Sequence, residues 1–298
     1  MTAVEHLGEA ARQALELPDE ERIRSLRQVR WITYTRAREI LDRFEDLLLY
    51  PPMHRMPCLL VVGETNNGKT AIVKRFERLH PADDNRKGDS IHVPVLTVQA
   101  PPVPEENRFY ASILDALGSP YRATESAARR QIQVLHVLRA GGLRMLIIDE
   151  VHHIIAGHIG KQRIFLNVLK YLANELRIPL VGVGTVDAVR AIQTDPQLAN
   201  RFEPVALPAW ELNREFQMLL ASFESTLPLR KPSCLADERM ATKLLAMSEG
   251  TIGELSRILV AASTEAIRCG RERIDEKALR EIDWQPPSAR KRRAEGLL

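Results

Sequence analysis

The residues best suited to chemistry in this 298-residue chain are the run Gly63-Glu64-Thr65-Asn66-Asn67-Gly68-Lys69-Thr70. They satisfy G-x-x-x-x-G-K-[ST] at every fixed position. A loop of this kind aims backbone N–H groups and a helix N-terminus at an anion. Glycines at 63 and 68 let it close around a phosphate without Cβ clashes. Lys69 is placed to reach the β- and γ-phosphates of ATP, and the Thr70 hydroxyl to hold Mg²⁺. The second landmark is Asp149-Glu150, which ends the apolar run Met145-Leu146-Ile147-Ile148 about eighty residues further on. Asp149 suits Mg²⁺, and Glu150 suits polarising an attacking water. Loop and acid pair together point to an ATPase rather than a nucleotide-binding scaffold. His152 and His153 follow at once, and with Asp149 committed to Mg²⁺ they read as loop or core histidines rather than zinc ligands. Thr185 ends a further apolar run. It fits a hydrogen bond to the γ-phosphate or the water, and it fits a plain turn equally well.

Positioning these groups requires an α/β core. The apolar run 58–62 is a buried strand, and 71–76 begins the helix after the loop. Further strands are expected at 93–99, 145–150, 180–185 and 203–207, the last an edge because of Pro204. Carboxylates at the C-terminal end of a parallel strand lie where open α/β sheets bind ligands. Loop composition covers 81–90, and the proline-containing connector 100–104 cannot be helical. A short helix ends at Gly118, and others are expected over about 125–140 and around Phe165 to Leu172. Ahead of the core lies a helical preface, in which Ala37, Ile40, Leu41, Phe44, Leu47 and Leu48 share one face until Pro51-Pro52 stops the helix. Trp31 and Tyr34 read as packing residues, with a role in an adenine pocket left open. After about Pro208 strands vanish, and helical patterns follow at 212–227, 237–248, 252–269 and 276–282. Thr251-Ile252-Gly253-Glu254 has the form of a capping box, and Asp275 that of an N-cap. The expected organisation is an N-terminal extension over 1–26, a nucleotide-binding core over 27–208, a helical lid over 209–283, and a basic proline-containing tail over 284–298.

Composition narrows the class. With 45% hydrophobic and 27% charged residues the chain is an ordinary globular protein. No apolar stretch reaches the roughly 18 residues of a membrane span, and no signal peptide is visible. Three cysteines, Cys58, Cys234 and Cys269, show no metal-ligand spacing. A cytoplasmic location is expected. Net charge of +3 gives little overall attraction for a polyanion. The cluster Arg290-Lys291-Arg292-Arg293 is either a solvated tail or an arm for nucleic acid or an acidic partner.

A phosphate loop, a strand ending in Asp-Glu, a polar-ended fourth strand, Asn200-Arg201-Phe202 before a fifth strand, and a helical lid together resemble an AAA+ ATPase. Within that superfamily, Arg55-Met56-Pro57, the Thr65-Asn66-Asn67-Gly68-Lys69-Thr70 loop and Gly250-Thr251-Ile252-Gly253-Glu254-Leu255-Ser256-Arg257 resemble TniB, the transposition ATPase related to TnsC and MuB. The resemblance implies an AAA+ P-loop core with a five-stranded parallel sheet, a helical N-terminal preface and a C-terminal helical lid. It matches Lys69 and Thr70 to the Walker A pair, Asp149 and Glu150 to Walker B, and Thr185 to the first sensor. Arg201 matches the arginine finger that acts on a neighbouring subunit's nucleotide, and Arg257 the second sensor. The Asn66-Asn67 pair departs from the small residues common in such loops.

The same resemblance implies ATP-bound rings or helical filaments on duplex DNA, with little sequence preference. Arg108, Arg122 and Thr124 are the candidate phosphate contacts. It further implies a transposase and a TniQ-like target-selection protein as partners, and no membrane. Two other readings stand beside it. One is a helicase-loader or initiator relative, for which a DNA-reading domain would be expected beyond the lid and for which the sequence leaves no room. The other is a nucleotide-gated scaffold with negligible hydrolysis, against which Glu150 argues.

Overall fold

The order of elements follows the periodicity of the chain. A computed structural model describes residues 4–28, 30–84 and 91–296. In sequence these are α1 (Glu9–Ala14), α2 (Asp19–Leu26), α3 (Thr35–Leu48), β1 (Cys58–Gly63), α4 (Lys69–Leu79), β2 (Val95–Gln99), α5 (Glu106–Ala116) and α6 (Ala127–Ala140). Then come β3 (Met145–Asp149), a 3-10 turn (Val151–Ala156), α7 (Ile159–Leu176), β4 (Leu180–Gly184), α8 (Asp187–Gln193), α9 (Pro196–Ala199) and β5 (Phe202–Leu207). The chain closes with α10 (Arg214–Glu224), α11 (Glu238–Ser248), α12 (Ile252–Arg268), α13 (Glu276–Glu281) and α14 (Pro287–Glu295). Of the loop expected over 81–90, positions 85–90 lie outside the described residues. Among the described residues no helix is long and apolar enough to cross a membrane.

One compact unit comprises Arg36–Thr65 and Lys69–Leu207. Its five strands are all parallel, in the order β2-β3-β4-β1-β5. β1, β3 and β4 are buried at every position, which is why they read as unbroken apolar runs. β5 is an edge and is buried at only half its positions, leaving Glu203, Pro204 and Ala206 exposed. On one face, Leu60, Val62, Leu146 and Ile148 pack with Phe109 of α5 and Phe165 of α7. Those two rings lie 5.0 Å apart between centroids. Phe44 of α3 and Phe76 of α4 meet edge-on at 5.2 Å, which places the helix before β1 and the helix after the loop together. Each buried phenyl ring contributes about 2–3 kcal/mol by leaving water. β2 begins at Val95 rather than Val93. The Val93 N–H turns to Gly141 O, and Pro94 has no N–H to offer the ladder.

The other unit comprises the described part of Met1–Thr35, the tripeptide Asn66–Gly68, and Pro208–Leu298. Leu219, Leu220, Leu244, Leu255 and Ile258 form its core, and Ile23 and Leu26 of α2 join them. Arg22 of α2 is fully buried and lies 2.5 Å from Glu272. Asp19 also reaches Arg22 at 3.3 Å, and Arg230 N donates to Glu272 at 3.2 Å, so the pair sits in a small polar network. Tyr34 packs edge-on against Trp210 at 5.1 Å, and burial pushes its phenol up to about 12.

The C-terminal stretch takes a form that its composition leaves open, and one expectation is corrected. The basic stretch after Gln285 is a helix, begun by a proline in its first turn and built of Ala, Arg, Lys and Glu. The capping box at Thr251 does not form. Thr251 stands at the N-cap, but its hydroxyl donates to Ser248 O at 3.1 Å, and Glu254 bonds elsewhere. Asp275 does cap α13, accepting from Ala278 N at 2.9 Å.

Candidate nucleotide-binding site

β1 carries the chain to Gly63, where a Cβ would lie 2.7 Å from Leu207 O of the neighbouring strand. Only glycine lets the two strands end this close. The loop then turns through two left-handed residues, Asn66 at φ 63° and Gly68 at φ 87°. Asparagine tolerates that region better than most side chains, and glycine adopts it freely. The two asparagines that depart from the family pattern also anchor the loop tip. Asn66 Nδ2 donates to Glu254 Oε1 at 3.0 Å, and Asn67 Nδ2 to Pro208 O at 2.8 Å.

Lys69 opens α4 and is buried. Its ammonium folds back over the loop, donating to Gly63 O at 2.8 Å and Glu64 O at 2.7 Å. Burial lowers its pKa, while the carboxylates of Glu150, Asp149 and Glu64 pull the other way. Thr65 is exposed in the same loop. One helical position on, the Thr70 hydroxyl donates to Asp149 Oδ2 at 2.9 Å, although the two residues are 79 apart in sequence. The other oxygen of Asp149 accepts the Glu150 N–H at 2.9 Å. A hydroxyl and a carboxylate side by side are hard oxygen donors, the ligand type Mg²⁺ prefers. The donor set therefore fits that ion.

β3 ends at Asp149, one residue earlier than expected. Glu150 leaves the strand at φ 56°, in the left-handed region. This turns its half-buried carboxylate toward the 3-10 turn, where the His152 Nε2 lies 3.2 Å from Oε2. His152 packs against the end of β4, and a Cβ on Gly184 would lie 3.2 Å from its Nδ1. His153 Nδ1 lies 3.3 Å from Ala100 O. Ligand atoms of Glu150, His152 and His153 fall within 4.8 Å of one another. The contact between His152 and Glu150 was not foreseen from sequence, because it depends on a local turn that pattern does not encode. Thr185 follows β4, where the register pairs Ile148 with Gly182. It is half-buried and sits one step beyond the level of Glu150.

Arg201 precedes β5 at the opposite end of the sheet, where Cys58 N donates to its carbonyl at 2.9 Å. The length of β1 separates it from the loop, about 17 Å at the usual strand rise. Its guanidinium donates to Asn174 Oδ1 at 2.9 Å and lines a 330 Å³ pocket with Arg55, Asn200, Tyr50 and Met53. The structure does not bring Arg201 to its own chain's phosphate loop. Arg257 lies on α12, 3.2 Å from Glu254, with its guanidinium 5.6 Å from the centre of the Trp284 ring.

Arg108, Arg122 and Thr124 are exposed on α5 and on the segment leading to α6. Arg108 pairs with Glu105 at 2.8 Å. That segment is tied down by Arg130, a buried arginine that donates to the carbonyls of Arg122 and Ala123 at 2.9 and 3.1 Å. Arg130 also stacks on Tyr121 at 4.7 Å. No sequence signal marks it, since one arginine in a helical run looks like a surface residue.

Comparison with solved structures places this architecture among AAA+ folds. The ORC2 protein of Aeropyrum pernix, in ADPNP–ADP complexes, superposes with a TM-score of 0.62 at 19% identity, covering 87% of this chain and 70% of that one. The Aeropyrum pernix ORC1 protein in complex with DNA also gives 0.62, at 20% identity, covering 91% and 69%. Among curated sequences, the chaperone ClpB of Meiothermus ruber is 28% identical over 150 residues, 49% of this chain. The match takes in 16% of that chaperone's length, so the likeness is confined to a small part of it. Residues 22–212 match the family model described as Bacterial TniB protein, a span that holds the phosphate loop, Asp149, Glu150 and Arg201. The chain belongs to the TniB family and carries the AAA+ fold.

Proposed function

We propose that this protein is an ATP-dependent, DNA-binding regulator of transposition. It assembles on duplex target DNA as a ring or helical filament, recruits or activates a transposase, and uses ATP hydrolysis to disassemble. A TniQ-like target-selection protein is the further partner, and the cytoplasm the location. The observation that carries the ATPase reading is the convergence of Lys69, Thr70, Asp149 and Glu150 at one end of the sheet. The family match supports the narrower reading. The organisation that goes with it is a core over 27–208 and a lid over 209–283.

In this reading the loop amides from Gly63 to Thr70 cradle the phosphates. Lys69 exchanges its two carbonyl partners for phosphate oxygens, which restores the charge-assisted bonds its burial makes valuable. Thr70 and Asp149 hold Mg²⁺, which neutralises charge on the phosphates when bound. Glu150 takes the proton of the attacking water, and Thr185 orients the water or the γ-phosphate. Arg201 reaches the nucleotide of a neighbouring copy, where a guanidinium stabilises charge on the transferring phosphoryl. Arg257 ties the lid to the γ-phosphate. Arg108, Arg122 and Thr124 touch DNA phosphates, which orients the protein without reading sequence.

A second reading, an initiator-like ATPase, is favoured by the fold shared with the ORC proteins. Electron microscopy with duplex DNA and a non-hydrolysable ATP analogue separates the two. Continuous filaments or rings that spread along DNA of any sequence support the transposition reading, and discrete particles at preferred sites overturn it. Lys69→Ala in the same assay abolishes nucleotide binding, by about a hundredfold or more, and with it the assembly.

A further inference from the structure

Glu254 is the junction of the C-terminal unit. Only 8% of its side chain is exposed, and its carboxylate gathers donors from three parts of the sequence. Asn66 Nδ2 of the phosphate loop donates at 3.0 Å, Arg257 of the same helix at 3.2 Å, and Arg290 of α14 closes on the second oxygen. Trp284 stacks with both arginines, at 5.6 and 5.5 Å. The Gly253 N–H donates to Asn66 O at 3.0 Å, and a Cβ on Gly253 would lie 2.0 Å from Asn66 Oδ1. Glycine at 253 is therefore what lets α12 come this close to the loop tip.

α14 has no buried side chain, and a helix of nine residues does not persist in water on propensity alone. Polar contacts at its first turn hold it. Ser288 N and Oγ both donate to the Glu249 carboxylate, and Arg290 reaches Glu254. Past that turn, Lys291, Arg292 and Arg293 are exposed, and none forms an ion pair among the described residues. Three cations on successive helical positions point about 100° apart, an arrangement that suits an extended polyanion better than one phosphate.

We propose that docked α14 is a backbone-phosphate-binding arm for duplex DNA, and that Glu254 relays its docking to the phosphate loop. The assignment of DNA as the polyanion rests on the function proposed above. Docking brings Arg290 to Glu254 and neutralises a buried carboxylate beside the loop that must receive anionic phosphates. Undocking leaves Arg257 as the one cationic partner among those contacts, so part of that charge returns to repel them. A helix already formed and docked meets DNA with less ordering cost than a free tail, so DNA favours docking. Nucleotide and DNA then strengthen each other's binding, as linkage requires.

The test measures affinity for a fluorescent ATP analogue and for duplex DNA, using the full chain. Arg290→Ala weakens nucleotide binding by about fivefold without DNA, the factor expected for one partly buried ion pair. In a Glu254→Gln background the same substitution changes it by less than about twofold. Arg290→Lys restores the wild-type value. Equal losses in both backgrounds overturn the relay. The triple variant Lys291→Ala, Arg292→Ala, Arg293→Ala keeps nucleotide affinity, while its log–log salt slope for DNA falls by about 0.9 per lost contact. An unchanged slope overturns the arm. If the triple variant loses binding to polyglutamate and not to DNA, the arm serves an acidic protein and the DNA assignment is wrong. The nucleotide measurement needs no DNA, so the Arg290–Glu254 cycle judges the relay even if the wild-type chain fails to bind duplex DNA and the proposed function falls.

Discussion

The two ends of the central sheet are chemically opposite. At the C-terminal ends of β1 and β3, a lysine, a hydroxyl and two carboxylates meet around a glycine-lined loop. At the N-terminal ends of β1 and β5, Arg201 and Arg55 line a pocket with no carboxylate among its lining residues. One end has the groups that would grip a phosphoryl group, and Arg201 is not among them. The other holds Arg201 without that grip, and the length of a buried strand keeps the two apart within one chain. Under the proposed function this division makes hydrolysis a property of neighbours, so turnover reports assembly.

The largest effect expected tests that division. Arg201→Ala should lower hydrolysis by about a thousandfold while nucleotide affinity of the unassembled protein stays within about twofold. Mixing it with Glu150→Gln protein should recover turnover at interfaces that pair an intact arginine with an intact glutamate. If no ratio of the two recovers activity, Arg201 does not act across an interface. Glu150→Gln alone should cost about a hundredfold in turnover and leave nucleotide and DNA binding intact, as measured by steady-state phosphate release beside equilibrium binding. Equal turnover in mutant and wild type would take Glu150 out of the reaction. Gly63→Ala should destabilise the core unit by about 1–3 kcal/mol in urea unfolding, since the new methyl meets Leu207 O at 2.7 Å. A neutral result would mean the two strands part easily at the phosphate end. The smallest effect concerns the opposite end. Burial pushes the Cys58 thiol up to about 11, so at pH 8 it stays protonated and shielded. Alkylation of the folded protein, read by mass spectrometry, should modify the exposed Cys234 and Cys269 and spare Cys58 until denaturant is added. Early labelling of Cys58 would show that the arginine end opens.

Legibility followed the range of the interactions involved. The phosphate loop, the acid pair and the five strands were readable because a parallel strand buried on both faces must be a short apolar run, and because a phosphate cradle needs glycine and lysine at fixed offsets. β5 betrayed its edge position through Pro204. Failures came where a side chain had a choice of partners. Thr251 and Glu254 have the spacing of a local cap, yet Glu254 takes Asn66 as a partner from 188 residues away. No local pattern distinguishes the two outcomes. The last helix was hidden for a related reason: its prolines and charges read as a tail, and what docks it is Glu249 and Glu254, both on other elements. Glu150 reads as the end of the strand, yet the strand stops at Asp149, and the left-handed backbone of Glu150 and its contact with His152 depend on how the chain leaves it.

The covering of β5 has a consequence for how copies of the chain can associate. An edge strand normally offers unpaired backbone groups to any passing strand, and a protein that crowds many copies together is most exposed to that hazard. Here Pro204 has no N–H to offer, Arg36 Nε already occupies Ala206 O at 2.8 Å, and Arg43 reaches across to Glu203 at 2.6 Å. α3 thus acts as a selvedge along β5, finishing that margin of the sheet so that it cannot be knitted onto the next. Under the proposed function, high local concentration then favours reversible side-chain contacts at this margin over strand pairing, a product that no hydrolysis cycle would undo.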